Sequence, residues 1–79
     1  MKASIIVTLK NGLLDPQGKA IEGALKSLDL ADINSVRQGK IFEVELATDD
    51  PAKARDLLKA ACEKLLANTI VENYRIEFR

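Results

Sequence analysis

The amino-acid sequence predicts a two-layer α+β fold, and three observations lead to this prediction. An Asp-Pro pair stands twice between a strand-like run and a helix-like run, at Asp15-Pro16 and at Asp50-Pro51. Apolar residues alternate with polar residues in the strand-like runs. In the helix-like runs they recur every three or four residues. Together these patterns divide the chain into two halves of one plan, namely strand, capped helix, strand.

The two Asp-Pro pairs mark the predicted helix starts. A residue before proline is disfavoured in the helical conformation, which suits the position just ahead of a helix. Proline fits the first helical position, because the amide hydrogen that it lacks would be unpaired there. The aspartate supplies a side-chain acceptor for the free amides of the first turn, and its charge suits the positive helix end.

In the first half, the alternation from Ala3 to Leu9 predicts a half-buried strand that ends at Asn11-Gly12. Residues Pro16 to Leu28 predict a helix with one apolar stripe. The stripe consists of Ala20, Ile21, Ala24, Leu25 and Leu28. Gly18 and Gly23 weaken this helix relative to alanine. Either they let the helix approach another backbone closely or they are tolerated surface glycines, and both interpretations stay open.

In the second half, Ile33 to Gln38 is a candidate short strand, Gly39-Lys40 a candidate turn, and Ile41 to Ala47 a clean alternating strand. The two runs could instead form one long bent strand over residues 33–47. Residues Pro51 to Ala67 predict the second helix, which has a broad apolar face. We expect Asn68 to end this helix in the left-handed conformation.

The last predicted strand runs from Glu72 to Phe78, so the element order is β-α-β-β-α-β, the ferredoxin-like pattern. Right-handed crossovers place both helices on one face of an antiparallel sheet. The opposite face then carries Ile6, Ile41 and Val71 among polar residues, a surface that could pair with another subunit. We expect a single domain over residues 1–79.

Composition narrows the class of protein. The chain has 79 residues, of which 47% are apolar and 30% charged, as in a small globular domain. Domains of this size bury limited surface, so an oligomer or a partner often stabilises them. Twelve basic and twelve acidic residues give no net charge, which argues against a nucleic-acid binder. The absence of a long apolar stretch argues against a membrane protein, and a single cysteine without a signal sequence predicts a cytoplasmic location.

The sequence offers few groups for catalysis or metal binding. It contains no histidine, which removes the commonest general base and transition-metal ligand. We expect Cys62 to be a buried structural thiol, since it lies beside the apolar stripe of the second helix. The glycines do not have the spacing of a phosphate-binding loop. We therefore predict no catalytic, cofactor or metal site on this chain.

One segment, Val36 to Lys40, could contact a partner. It places two cations around a glycine at a predicted turn, an arrangement that can meet a phosphate or an acidic patch. Arg37, Gln38 and Lys40 are accordingly the predicted partner-interface residues. A solvated turn without a binding role is the simpler interpretation of the same residues.

Several stretches closely resemble the PurS family, the small subunit of phosphoribosylformylglycinamidine (FGAM) synthase, also called formylglycinamide ribonucleotide amidotransferase. Their order and spacing carry the resemblance over nearly the whole chain. They are Leu14-Asp15-Pro16-Gln17-Gly18 with Ala20 and Ala24-Leu25 behind, Val36-Arg37-Gln38-Gly39-Lys40, and Cys62-Glu63-Lys64-Leu65-Leu66-Ala67-Asn68 followed by Glu72-Asn73-Tyr74. Thr69 departs from the family, which has proline after the asparagine.

The resemblance implies a non-catalytic subunit of a ligase complex in de novo purine biosynthesis. In such a complex a synthetase (PurL-type) subunit uses ATP and Mg to activate the amide oxygen of the substrate, and a glutaminase (PurQ-type) subunit releases ammonia from glutamine. The small subunit would bridge these two as a homodimer or homotetramer, and it could help ammonia pass between them. It would itself bind no cofactor, nucleic acid or membrane.

Two other functions share this fold pattern. An ACT-like regulatory module would bind an amino acid between paired domains near the first strand–helix loop, where Asn11-Gly12 could serve. The lack of a fused enzyme argues against it. A small acyl-phosphate hydrolase would need an arginine in that loop to hold phosphate, and the loop Lys10-Asn11-Gly12-Leu13-Leu14 contains none.

Overall fold

A computed structural model describes residues 1–12 and 14–79 and has the α+β, ferredoxin-like arrangement that the sequence predicts. Leu13, part of the loop considered for an ACT-like or hydrolase function, lies outside the described residues. The elements are β1 (Lys2–Leu9), α1 (Pro16–Ser27), β2 (Gly39–Glu45), α2 (Pro51–Ala61), a π-helical turn (Cys62–Leu66) and β3 (Glu72–Phe78). The strands form an antiparallel sheet in the order β2-β1-β3.

The separate strand predicted at residues 33–38 does not form, nor does a bent strand over 33–47. The strand begins at Gly39, and residues 33–38 form an irregular connection to it. Side chains of α1 and of Asp15, which caps it, accept hydrogen bonds from amides of this connection. The Val36 amide donates to Glu22 Oε2 (3.0 Å) and the Gln38 amide to Asp15 Oδ2 (2.9 Å). Within the described residues the sheet therefore has three strands, and the outer edge of β2 is unpaired.

The hydrophobic core lies between one face of the sheet and α2. Ile5 of β1 is fully buried at its centre and pairs with Phe42 on one side and Ile76 on the other. The cluster of buried residues around it consists of Ala3, Ile5, Val7, Leu58, Cys62 and Ala67. The inward residues of the outer strands are only partly buried, because α2 alone covers a sheet three strands wide.

Helix α2 begins as predicted and ends differently. Asp50 accepts the Ala52 amide (3.1 Å) with its side chain, and Pro51 is the first helical residue. After Ala61 the chain widens into the π-helical turn, where the Ala67 amide donates to the Cys62 carbonyl oxygen (3.0 Å). The left-handed conformation predicted for Asn68 is wrong. Among the described non-glycine residues only Asp29, after α1, has a positive φ (63°).

Asn68 instead organises the turn that leads into β3. Its side-chain oxygen accepts the Ile70 amide (3.2 Å), its carbonyl oxygen accepts the Glu72 amide (2.7 Å), and its own amide donates to Glu72 Oε1 (2.7 Å). These hydrogen bonds explain why asparagine suits this turn although its backbone is not left-handed.

Helix α1 is bound to the rest of the chain mainly through its first turns. In the described part of the chain it makes no extensive contact with the sheet, and Gly18 is its one buried residue. The molecule measures 48 × 26 × 14 Å, and its radius of gyration of 15.9 Å exceeds the roughly 12 Å of a compact domain of this length. The chain is therefore elongated. No helix in the described residues has both the length and the apolar content needed to cross a membrane.

Candidate partner interface at the end of the sheet

Asp15 joins α1 to the segment that precedes β2. Its Oδ1 accepts the Gly18 amide (3.0 Å), which caps the helix, and its Oδ2 accepts the Gln38 amide (2.9 Å). These two hydrogen bonds, the Gly18 bond first, and the nearby Arg37 charge hold the pKa of the Asp15 carboxyl below its ordinary value. The same carboxylate therefore begins a helix and anchors a loop.

Arg37 fastens the same segment to the end of β1. Its guanidinium donates to Asn11 Oδ1 (2.6 Å) and to the carbonyl oxygens of Leu9 and Lys10 (3.3 Å for Lys10). A planar guanidinium can reach several acceptors at once, which a lysine ammonium on a flexible stem does less well. The predicted interface residue Arg37 thus has internal partners.

The other two predicted interface residues lie at the same end of the sheet. Gln38 Nε2 donates to Gln17 Oε1 of α1 (3.0 Å). Lys40 Nζ lies 3.5 Å from Glu72 Oε2, across the sheet on β3. Gln38 is exposed, and the Lys40 side chain is about half exposed. Both residues therefore have polar groups at the surface, although each also contacts another element of the chain. Contact with a partner protein stays a prediction for all three residues.

Glu22 also contacts the segment that precedes β2, and the sequence reasoning missed it. It accepts the Val36 amide (3.0 Å), and Lys19 Nζ lies 3.5 Å from its other oxygen. The Val36 amide, followed by the Lys19 charge, holds the pKa of Glu22 below its ordinary value. Only its position, one helical turn after Gly18, could have indicated that it faces the same loop.

Gly18 resolves one of the alternatives that the sequence left open. A Cβ at this position would overlap the Asp15 carboxylate and would lie 2.5 Å from the Val36 carbonyl oxygen. A Cβ added at Gly23 would have no other atom within 4 Å. Gly18 is therefore required by a close backbone approach, whereas Gly23 is a surface glycine. We call the contacts of Asp15, Gly18, Glu22, Arg37 and Gln38 the polar junction.

Cys62 and Tyr74 are residues whose ionisation burial disfavours. Cys62 is buried, as predicted, and burial together with the Glu63 charge raises the pKa of its thiol. Burial and the Glu63 charge likewise raise the pKa of Tyr74. In residues 1–12 and 14–79, no three cysteine, aspartate or glutamate side chains come together as a metal site would require. A thiol of raised pKa is a poor nucleophile at neutral pH.

The sheet face opposite α2 is mostly charged. Ile6 and Ile41 pair across β1 and β2, and Ile41 is 62% exposed. Arg79 donates to Ser4 Oγ (2.7 Å) and to Glu43 Oε1 (3.2 Å) beside them. Val71, which the sequence analysis placed on this face, lies in the turn before β3 rather than in the sheet. The face is thus a mixed surface with one well-exposed isoleucine.

Comparison with known proteins assigns this fold. The family profile described as "PurS: Phosphoribosylformylglycinamidine (FGAM) synthase" matches residues 2–79. The chain is 44% identical to the phosphoribosylformylglycinamidine synthase subunit PurS of Bacillus subtilis (96% of this chain, 89% of the relative). It is 47% identical to the corresponding subunit of Mycobacterium leprae (95% of this chain, 91% of the relative).

Solved structures agree with the sequence comparison. PurS of Methanocaldococcus jannaschii, one of the subunits of formylglycinamide ribonucleotide amidotransferase in the purine biosynthetic pathway, superposes with a TM-score of 0.87 at 32% identity (96% of this chain, 92% of that chain). A chain from the structure of PurLQS from Thermotoga maritima superposes with a TM-score of 0.89 at 33% identity (96% of this chain, 93% of that chain).

The fold and the junction define a small α+β, ferredoxin-like domain whose polar side chains organise its own loops. The chain belongs to the PurS family, the PurS subunits of FGAM synthase in purine biosynthesis. The resemblance inferred from the sequence is thereby confirmed.

Proposed function

We propose that this chain is a non-catalytic bridge between the synthetase and glutaminase subunits of a cytoplasmic FGAM synthase. The observation that carries the proposal is the match over residues 2–79 to a subunit family, together with the similarity to a chain of PurLQS from Thermotoga maritima. In this proposal the PurL-type synthetase uses ATP and Mg, and the PurQ-type subunit hydrolyses glutamine. In the same proposal, the small chain binds none of ATP, Mg and glutamine.

The arrangement of polar groups supports a structural role. The junction residues bond to backbone amides and carbonyls of their own chain, and the buried thiol has a raised pKa. A protein of this kind contributes to a reaction by holding larger subunits in position. Assistance to ammonia transfer belongs to the same proposal, since a bridge lies beside the path between two active sites.

The chain acts in this proposal as a homodimer or homotetramer. An elongated domain with a helix that makes no extensive contact with the described sheet is poorly stabilised alone, and self-association is the usual remedy. A light-scattering mass equal to one chain at micromolar concentration would contradict this part of the proposal.

Reconstitution tests the bridge directly. The purified synthetase and glutaminase are assayed for glutamine-dependent FGAM formation with and without this chain. We expect product formation to need the chain, whereas product formation with added ammonium salt persists without it. Full glutamine-dependent activity in its absence, or hydrolysis of glutamine or ATP by the purified chain alone, would contradict the proposal.

The predicted interface residues are tested in the same assay. The double variant Arg37→Glu/Lys40→Glu is compared with Lys26→Glu/Lys59→Glu, which makes the same change of charge on the exposed sides of α1 and α2. We expect only the first variant to weaken binding of the large subunits. Thermal melting of both variants separates lost binding from lost folding, since Arg37 and Lys40 also have internal partners.

A further inference from the structure

The turn after β1 exposes an asparagine that is followed directly by a glycine. Asn11 and Gly12 are both exposed, and a Cβ added at Gly12 would have no other atom within 4 Å. Within residues 1–12 and 14–79, neither the backbone amide of Gly12 nor the side-chain amide nitrogen of Asn11 donates a hydrogen bond. The Gly12 amide nitrogen is therefore free to react with the neighbouring side-chain carbonyl carbon, which is fixed close to it by the chain itself.

The turn keeps this reactive pair together. Gly12 has a φ of 86°, a conformation that residues with a Cβ rarely adopt. Glycine is thus required by the turn, and it is also the residue that leaves its own amide nitrogen least hindered. The sequence analysis noted Asn11-Gly12 only as the end of a strand and as a loop for an amino-acid ligand, so its chemistry is unused by the proposed function.

A cation faces the oxygen of the same asparagine. The Arg37 guanidinium donates to Asn11 Oδ1 over 2.6 Å, and it is fixed in place by its bonds to the carbonyl oxygens of Leu9 and Lys10. Attack on the side-chain carbonyl carbon moves negative charge onto Oδ1. A fixed positive charge at that oxygen stabilises the transition state of such an attack.

We propose that Asn11-Gly12 is a site of spontaneous deamidation and that Arg37 assists it. The Gly12 amide nitrogen gives its proton to solvent and forms a bond to Asn11 Cγ, while the carbonyl electron pair moves to Oδ1. The oxyanion then restores the carbonyl and expels Nδ2, which takes a proton from water and leaves as ammonia. The resulting succinimide adds one water molecule at either carbonyl and opens to an aspartyl or an isoaspartyl residue at position 11.

The reaction places a new carboxylate at the polar junction. An aspartyl side chain at position 11 turns the hydrogen bond from Arg37 into an ion pair, and each modified chain gains one negative charge. An isoaspartyl residue also lengthens the backbone between β1 and α1. The inference concerns this chain alone and does not depend on the proposed bridge.

Asn68 is an internal control within the same chain. Its side-chain oxygen accepts the Ile70 amide, and the residue after it, Thr69, is branched at Cβ. The branch hinders the amide nitrogen that would have to attack, and no arginine is bonded to the Asn68 side chain among the described residues. We therefore expect Asn68 to stay intact under conditions that convert Asn11.

Prolonged incubation of the purified chain tests the inference. The chain is kept at physiological temperature and mildly alkaline pH, and samples are analysed by isoelectric focusing, by peptide mass spectrometry and with an isoaspartate-specific methyltransferase. We expect an acidic species to accumulate, with the modification at position 11 and both products present. The variant Asn11→Asp serves as the reference for the aspartyl product. Absence of the acidic species, or equal conversion of Asn68, would overturn the inference.

The part played by Arg37 is measured as a rate. We expect Arg37→Ala to deamidate about tenfold more slowly than the wild type, a smaller effect than loss of an oxyanion donor has in a water-excluded site. Gly18→Ala is the control, because it disturbs the polar junction while it leaves the guanidinium in place. Deamidation of Arg37→Ala at the wild-type rate or faster, with Gly18→Ala at the wild-type rate, would overturn the assistance by Arg37.

Discussion

Arg37 links an exposed loop to the carbonyl oxygens of Leu9 and Lys10 at the end of β1. Its removal should therefore weaken the polar junction and destabilise the fold. We expect Arg37→Ala to lower the free energy of unfolding by about 1 kcal/mol, the net value of one or two surface hydrogen bonds. For a domain of this size that corresponds to a fall in melting temperature of about 4–8 °C. Thermal denaturation followed by circular dichroism measures the change.

Arg37→Lys is the matched control, because it keeps the charge but loses the fork that reaches Asn11 and the two carbonyl oxygens. We expect it to behave more like Arg37→Ala than like the wild type. A lysine variant as stable as the wild type would show that charge, rather than hydrogen-bond geometry, accounts for the effect.

Asp15 and Glu22 make the junction sensitive to acid. The hydrogen bonds from Gly18 and Val36 lower their pKa values below the ordinary 3.8 and 4.5. Because these pKa values are lower in the folded state, the stabilisation is complete above the ordinary values and is lost as the pH falls through the lowered ones. We expect the free energy of unfolding to decrease below about pH 5.

The double variant Asp15→Asn/Glu22→Gln removes both titrating groups and should show a flatter stability profile between pH 2 and about pH 5. Urea denaturation at a series of pH values checks this. An unchanged acid dependence in the double variant would place its origin in other carboxylates.

Among the elements, α1 offers a pair of matched glycine substitutions. Gly18→Ala should destabilise the protein, since its Cβ would meet the Asp15 carboxylate and the Val36 carbonyl oxygen. Gly23→Ala should be neutral or stabilising by up to about 1 kcal/mol, because alanine is the better helix former and nothing lies near. Chemical denaturation measures the free energy of unfolding of both variants. Equal effects would contradict the close approach at Gly18.

Helix α2 supplies the contrast between core and surface. Leu58 is 2% exposed and packs in the central cluster, so Leu58→Ala should cost about 2–5 kcal/mol. Leu65, in the π-helical turn, is 83% exposed, and Leu65→Ala should change stability by less than about 0.5 kcal/mol. A large loss of stability in Leu65→Ala, measured without the other subunits of the complex, would mean that a second copy of this chain covers Leu65.

The sequence was a good guide to elements whose signal is local. Both Asp-Pro pairs begin helices, and β3 occupies residues 72–78 as predicted, because capping and alternation depend on neighbouring residues. Residues 33–38 were misjudged, since their amides bond to Glu22 and Asp15, which are distant in sequence. No local pattern reports such a pairing.

The interface residues show the same limit. The sequence singled out Arg37, Gln38 and Lys40 from their charge and position, and the structure adds the internal partners that each has. The sequence could not indicate that α1 would lie apart from the sheet. The apolar stripe of a helix looks the same whether its own chain or another chain covers it.

For the whole molecule, association should be visible in its stability. If the proposed homo-oligomer covers the exposed Ile21 side chain of α1, the melting temperature of the wild type rises with protein concentration, since oligomers dissociate on unfolding. We expect Ile21→Lys to melt at a lower temperature that no longer depends on concentration. Gly23→Lys, which adds the same charge where nothing lies within 4 Å, should behave as the wild type.

The unpaired edge of β2 has a consequence for solubility. An open strand edge can template the addition of a foreign strand, the first step toward fibrous aggregates. Lys40, Glu43 and Glu45 place charges along this seven-residue edge, and such charges discourage stacking of further strands. We therefore expect a variant in which valine replaces both glutamates to aggregate more readily than the wild type.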